Sequence, residues 1–197
     1  MLKQGSFVLA SGILALDLAT SCGYAWVGAD GRLHRGSYSL CVTAADEWDL
    51  RAWRLGEWLR AIDPASFSHV AYEHGAIGSH VGDVKELHGM LRGVVADNAA
   101  RLGWLPMAFS PQQVKSIATG KGNAPKAQVM RACGTLLGLV VTDDNEADAL
   151  WLLVLASDCV LKGRRPPTAS RRKRWPGKGE GKGSKQRRLF AGKDGLR

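Results

Sequence analysis

An α/β domain with a mixed five-stranded sheet is the fold class the sequence predicts, and three observations carry it. The N-terminal part holds apolar runs parted by turn residues, and Asp30-Gly31 between two strand-like runs is a strong hairpin signal. From Ala44 the hydrophobic spacing changes from a strand period to that of a helix face. Beyond that point two short apolar runs alternate with helical segments, the order that gives parallel strands with right-handed crossovers.

The elements follow in order. Residues 7–18 are apolar, rich in Val, Ile and Leu, and too short to span a membrane, so they read as one buried central strand. Residues 23–29 and 32–41 supply two more strands and complete an antiparallel meander. Leu50, Trp53, Trp58, Leu59 and Ile62 are spaced for one face of a helix, with both tryptophans as core anchors, and Asp63-Pro64 closes it. Residues 68–72 form a short strand ending at Glu73. Residues 81–102 read as a long helix with Val84, Leu87, Leu91, Val94 and Val95 on one side, stopped by Gly103. Residues 104–109 are the fifth strand. Ser110 and Pro111 then open a helix as N-cap and first helical residue. A polar glycine loop at 119–123 precedes helices at 126–139 and 147–161.

Composition bounds the function. Of 197 residues 45% are apolar and 23% charged, a globular balance. The net charge of +9 is unevenly placed: residues 1–161 carry 13 Lys/Arg against 16 Asp/Glu, and residues 162–197 carry 14 against two. A mildly acidic domain at 1–161 is therefore expected to carry a basic, disordered, nucleic-acid-binding tail at 162–197, which excludes a uniformly basic DNA-coating protein. Cys22, Cys41, Cys133 and Cys159 are scattered and show no metal-ribbon spacing, so reduced thiols are expected. Asp17 interrupts the first apolar run and only Lys3 precedes it as a basic residue, so neither a signal peptide nor a membrane span is expected; the reading is a cytoplasmic protein.

Carboxylates at strand ends carry the chemistry. Asp17 closes the first strand and Glu73 the fourth. If those strands are parallel neighbours, both acids emerge at the sheet edge where open α/β sheets bind ligands. Asp148 lies in or near the first turn of the last helix, within the acidic run 143–148. Acids near a helix start also suit its dipole. Convergent carboxylates repel one another, however, and a divalent cation such as Mg²⁺ relieves this with oxygen ligands. Two such ions roughly 4 Å apart can activate water and stabilise the leaving oxygen of a phosphodiester.

The sequence resembles the RuvC-type Holliday junction resolvases, particularly their shorter bacteriophage relatives, over residues 12–160. The likeness rests on residues 13–26 (ILALDLATSCGYAW), 70–73 (VAYE), 113–115 (QVK) with 120–126 (GKGNAPK), and 145–150 (NEADAL). The order and spacing agree too, with 56 residues from Asp17 to Glu73 and 75 from Glu73 to Asp148. The resemblance implies an RNase H-like fold, a homodimer, two Mg²⁺ (or Mn²⁺) per active site, and paired nicks across a four-way DNA junction. Asp17, Glu73 and Asp148 match three of the family's four catalytic, metal-binding acids. The family carries the fourth three or four residues before the last. Asn145 is the poorer ligand there; Asp144 is favoured because an i, i+4 spacing puts it on the same face as Asp148, with Asp143 in reserve. Glu146 would point elsewhere. Lys115 and Lys126 match lysines that hold DNA phosphate in the family, and Lys121 stands in the glycine loop between them.

Other readings are a nuclease of the same fold acting on other branched DNA or RNA–DNA hybrids, and a non-catalytic junction-binding protein. Residues 17–23 also resemble the phosphate loop of actin-like kinases, but those need two domains and the body is too short.

Overall fold

The computed structural model describes residues 1–43, 47–74 and 82–164. Along the chain run β1 (Leu2–Gln4), β2 (Phe7–Leu9), β3 (Ile13–Asp17), β4 (Ser21–Val27), β5 (Leu33–Ser39), α1 (Trp48–Ala61), β6 (His69–Glu73), α2 (Gly82–Leu102), β7 (Leu105–Phe109), α3 (Pro111–Thr119), α4 (Lys126–Ala132) and α5 (Asp144–Leu161). The main sheet has five strands in the order β5-β4-β3-β6-β7. The meander β3-β4-β5 is antiparallel, and β6 and β7 join β3 in parallel, so the sheet is mixed as the element order predicts.

Strand alternation assigns two cores. Leu14, Leu16 and Val70 point to one face, where they pack with Leu55 and Leu59 of α1 and Leu87, Leu91 and Val95 of α2. Ile13, Ala15, Ala25 and Ala71 point to the other, against α3, α4 and α5. Small side chains on that second face let α5 lie close to the sheet. The helix is accordingly apolar almost all round, with Ala149 through Val154 buried. Its fully buried Ser157 accepts a hydrogen bond from the Ala10 N–H (2.9 Å), which ties the entry to β3 onto α5.

Three expectations are corrected. The run 7–18 is not one strand, because Gly12 (φ +79°) breaks it, and β2 folds back on β1 through a two-residue turn with Gly5 at φ +57°. Both pieces are largely apolar, so hydrophobicity could not reveal the break. The predicted face of α1 is rotated: Ala52, Leu55, Gly56 and Leu59 are buried, whereas Trp53 is 60% exposed and is no core anchor. Trp58 is half-buried and stacks on Tyr38. The helix expected at 126–139 leaves α geometry after Ala132 and widens into a π turn over Cys133–Leu137, ended by Gly138 at φ +69°. The hairpin β1–β2 uses the carbonyls freed there: Ser6 N–H donates to Leu136 O (3.2 Å) and Gln4 Nε2 to Leu137 O (2.6 Å).

The apolar face of α2 is spent on its own sheet through Leu87, Leu91, Val95 and Ala99. The last helix starts at Asp144, three residues earlier than the periodicity alone suggests, because the acidic residues before Ala147 form its first turn. The four cysteines are free. Among the described residues no helix is long and apolar enough to cross a membrane. The expectation of a disordered tail falls, from residue 165 on, outside the described residues.

Leu50 and Leu59 both belong to the face that spacing predicts, but Leu50 is 38% exposed and Leu59 fully buried. Leu59→Ala should cost about 2–5 kcal/mol in urea unfolding and Leu50→Ala less than about 1 kcal/mol. Equal costs would contradict the observed rotation of α1.

Candidate active site

Two adjacent parallel strands deliver the first pair of acids. Leu16 of β3 lies in register with Tyr72 of β6, so Asp17 and Glu73, the next residue of each strand, leave the sheet at the same edge. Both are half-buried. The second pair comes from the opposite direction on α5. Asp143 caps that helix by accepting from the Asn145 N–H (2.9 Å), and Asp144 and Asp148 follow one turn apart on one face.

The close approach of α5 to β3 depends on a residue without a side chain. Gly23 of β4 lies opposite Asp17. A Cβ there would stand 1.9 Å from the Asn145 carbonyl oxygen, so the first turn of α5 rests directly on the strand backbone. Arg35 of β5 reaches the same turn, pairing with Glu146 and donating to Val140 O (3.3 Å). Glu146 is thereby turned from the other acids, as its position on the helix predicts.

The four carboxylates feel one another. Burial, then Asp148 and Glu73, and more weakly Asp144, hold Asp17 well above the ordinary aspartate range against the opposing pull of Lys126. Burial and then Asp148 push Glu73 up to about 7, with Lys115 and Lys126 pulling it down. Burial raises Asp148 to about 6; Lys126 and Lys115 oppose this and Asp144 adds to it. Asp144 goes the other way, because Lys126 at the start of α4 donates to its carboxylate and lowers its pKa.

Lys115 is presented by α3, whose start is fixed by a capping box. Ser110 Oγ accepts from the Gln113 N–H (3.3 Å), and Gln113 Oε1 accepts from the Ser110 N–H (2.8 Å). The helix ends at Gly120 in a left-handed conformation (φ +76°), and Lys121 follows, exposed, in the glycine loop. The structure thus brings together Asp17, Glu73, Asp144, Asp148, Lys115 and Lys126, while none of the carboxylate shifts traces to Lys121.

The donor set is all hard oxygen and carries more negative charge than its two lysines offset, which suits a divalent cation. The cage is not preformed. Among the described residues no three His, Cys, Asp or Glu side chains stand grouped to hold an ion as they are, and Asp144 is engaged by Lys126. Sequence reasoning missed Gly23 and Arg35. A glycine inside a strand does signal close backbone approach. For Arg35 there was no signal, since its partner lies 111 residues away.

A carboxyl held above its ordinary pKa keeps a proton that the unfolded chain has already lost. That group's contribution to stability is full below the unfolded value and is lost as pH rises through the folded one. For Glu73 the window runs from 4.5 to about 7. The metal-free protein should therefore lose stability across that range, by on the order of 2–3 kcal/mol from Glu73. Glu73→Gln should flatten the dependence and be more stable than the parent at pH 8. Denaturant titrations from pH 4.5 to 8 check this, and a parent profile that rises through the window contradicts it.

No protein-family model matches the chain. The chain is 41% identical over 66 residues to the crossover junction endodeoxyribonuclease RuvC of Anaeromyxobacter sp. strain K, and that match spans 34% of this chain and only 36% of the relative. It is 31% identical over 159 residues to the RuvC of Heliobacterium modesticaldum, covering 77% of this chain and 96% of the relative. Among solved structures, Thermus thermophilus RuvC superposes with a TM-score of 0.61 at 22% identity, covering 77% of this chain and 96% of that one. The same protein in complex with a Holliday junction substrate gives 0.60 at 21% identity, over 78% of this chain and 98% of that one. The structural likeness confirms the RNase H-like sheet. A match that runs through nearly the whole of a relative at 31% identity decides the rest: the chain belongs to the RuvC family.

Proposed function

We propose that the chain is a structure-selective endonuclease that resolves four-way (Holliday) DNA junctions by paired, metal-dependent phosphodiester hydrolysis in the cytoplasm. The observation that carries this reading is the convergence of Asp17, Glu73 and Asp148 at one sheet edge, each carboxyl held above its ordinary pKa with Lys115 and Lys126 beside them. A protein that only bound phosphates would gain nothing from acids placed there. The neighbour solved with a Holliday junction substrate supports the substrate class.

Asp17, Glu73, Asp148 and Asp144 would hold Mg²⁺, two ions per site, with Mn²⁺ as a substitute. When bound, the ions supply an activated water and charge stabilisation for the leaving 3′-oxygen. Glu73 and Asp148 must give up their carboxyl protons to serve as ligands, so cleavage rises with pH through the range where they titrate. Lys126, which pairs with Asp144 here, would be released to the scissile phosphate if that acid served as a metal ligand, and Lys115 would hold a neighbouring phosphate. Lys121 and the glycine loop add a further phosphate contact at the rim. The cations of residues 162–197 supply affinity without sequence information.

Two coordinated nicks on a near-two-fold junction call for a two-fold homodimer. The inner face of α2 is already buried in its own sheet, so the dimer surface falls to the outer side of α1 and α2, where exposed Trp53 borders a groove lined by Gly56, Met90, Gly93 and Val94.

With Mg²⁺ the protein should nick a synthetic four-way junction symmetrically and leave duplex, flap and RNA–DNA hybrid largely uncut. Asp17→Asn and Glu73→Gln should each lower single-turnover cleavage by at least about 1,000-fold, while junction binding at fixed salt stays within about threefold. Cleavage by Glu73→Gln at the parent rate would show that the site is wrongly assigned. Preference for the hybrid or the flap would move the substrate class, and binding without any cleavage would make the chain a junction-binding protein.

A further inference from the structure

Among the described residues, the helix-surface pairs are well exposed: the two side chains of Arg60–Glu57 are 53% and 52% exposed, and those of Arg101–Asp97 are 73% and 57%. Arg35–Glu146 is different, with side chains only 28% and 13% exposed. Taking a guanidinium and a carboxylate this far out of water costs much of what their attraction returns, so such a pair contributes little net stability and is better understood by the geometry it imposes. Its geometry is specific. Glu146 sits two residues after Asp144 and two before Asp148, in the first turn of α5. Besides pairing with Glu146, Nη1 of Arg35 donates to the carbonyl of Val140, in the segment that leads into that turn. One guanidinium from the outer strand of the meander therefore fastens both the helix start and the chain feeding it.

The neighbouring strand completes the clamp. At Gly23 the helix start rests on bare backbone, which fixes its depth, and the apolar packing of residues 149–154 holds the body of α5, leaving small rotations of the first turn as the remaining freedom. A charged tether reaching from β5 to the side of the helix opposite the acids removes that freedom. Such a rotation would swing Asp144 and Asp148 relative to Asp17 and Glu73, which are anchored to the sheet. Displacements of about 1 Å in such constellations cost on the order of 100-fold in rate.

We propose that Arg35 and Glu146 are positioning residues, which lock the rotation of α5 so that Asp144 and Asp148 meet the strand-borne Asp17 and Glu73 in metal-ligating register. This rests on the nuclease reading for its consequence in catalysis, but not for its consequence in metal binding.

The test uses the full chain and the variants Arg35→Met, Glu146→Ala and their double. Mn²⁺ affinity is read by electron paramagnetic resonance without DNA, alongside single-turnover junction cleavage, junction affinity without divalent ion, and thermal melting. Each single variant should weaken Mn²⁺ binding about tenfold and slow cleavage about 10- to 100-fold, with part of the rate recovered at high Mn²⁺. Junction affinity should stay within about twofold, because the residues that contact phosphate are untouched. The double variant should be no worse than the poorer single, since both remove one interaction. Mn²⁺ affinity equal to the parent's, or losses that multiply in the double, would overturn the proposal. If Arg35→Met fails to fold, Arg35→Lys decides: it keeps the charge but not the guanidinium that also holds Val140, and should show a smaller loss of Mn²⁺ affinity, parent-like affinity again overturning the proposal. A parent that binds Mn²⁺ but cuts no junction would sink the nuclease reading alone.

Discussion

Asp17, Glu73, Asp144 and Asp148 stand half-buried where two parallel strands end, with the Lys126–Asp144 ion pair to offset part of their mutual repulsion. Burial and like charge both act against their ionised forms, which is why Asp17, Glu73 and Asp148 are all held above the ordinary carboxyl range. Holding such a cluster together requires elements that cannot drift. β3 and β6 are interior strands of the sheet, and α5 is buried along most of its length. The repulsion is thus contained by the best-packed parts of the molecule, and a bound cation would turn it into attraction.

Small residues make this arrangement possible. Ala15, Ala25 and Ala71 on one sheet face admit a helix that is apolar almost all round beyond its acidic first turns, and Gly23 lets the start of that helix touch strand backbone beside Asp17. The N-terminal hairpin braces the other end of the same layer. It takes up the carbonyls released by the π turn after α4, the short helix that presents Lys126, and Phe7 meets Trp151 of α5 edge-on at 5.7 Å. The lysine and the two helical acids therefore share one packed layer, while Asp17 and Glu73 belong to the sheet beneath it.

Much of this was legible in the residues. The antiparallel meander and the mixed sheet follow from the element order, and the placing of Asp17 and Glu73 at strand ends from apolar runs that close on carboxylates, because an unpaired acid is excluded from a strand interior but not from its end. That the two strands are neighbours, which gives the acids one edge, only the β3–β6 pairing decides. The pairing of Asp144 with Asp148 followed from helical spacing, and the start of α3 from Ser110 and Pro111. What stayed hidden depends on tertiary context. The break at Gly12 separates two apolar segments that look alike in sequence. The burial of Leu55 rather than Trp53 is settled by where α1 meets the sheet, and spacing alone admits either face. The Arg35–Glu146 pair joins positions that only the finished meander brings together.

The central claim is that this sheet edge is a metal site whose fourth carboxylate, Asp144, is held in reserve by Lys126. Crystals of the full chain soaked in Mn²⁺ and measured for anomalous scattering test it most directly. The account predicts anomalous peaks at the sheet edge, ligated by Asp17, Glu73, Asp148 and Asp144, with the Lys126 ammonium displaced from Asp144. Saturating Mn²⁺ with no peak at that edge, or a peak ligated by Asn145 while the Lys126–Asp144 pair stays intact, would contradict it.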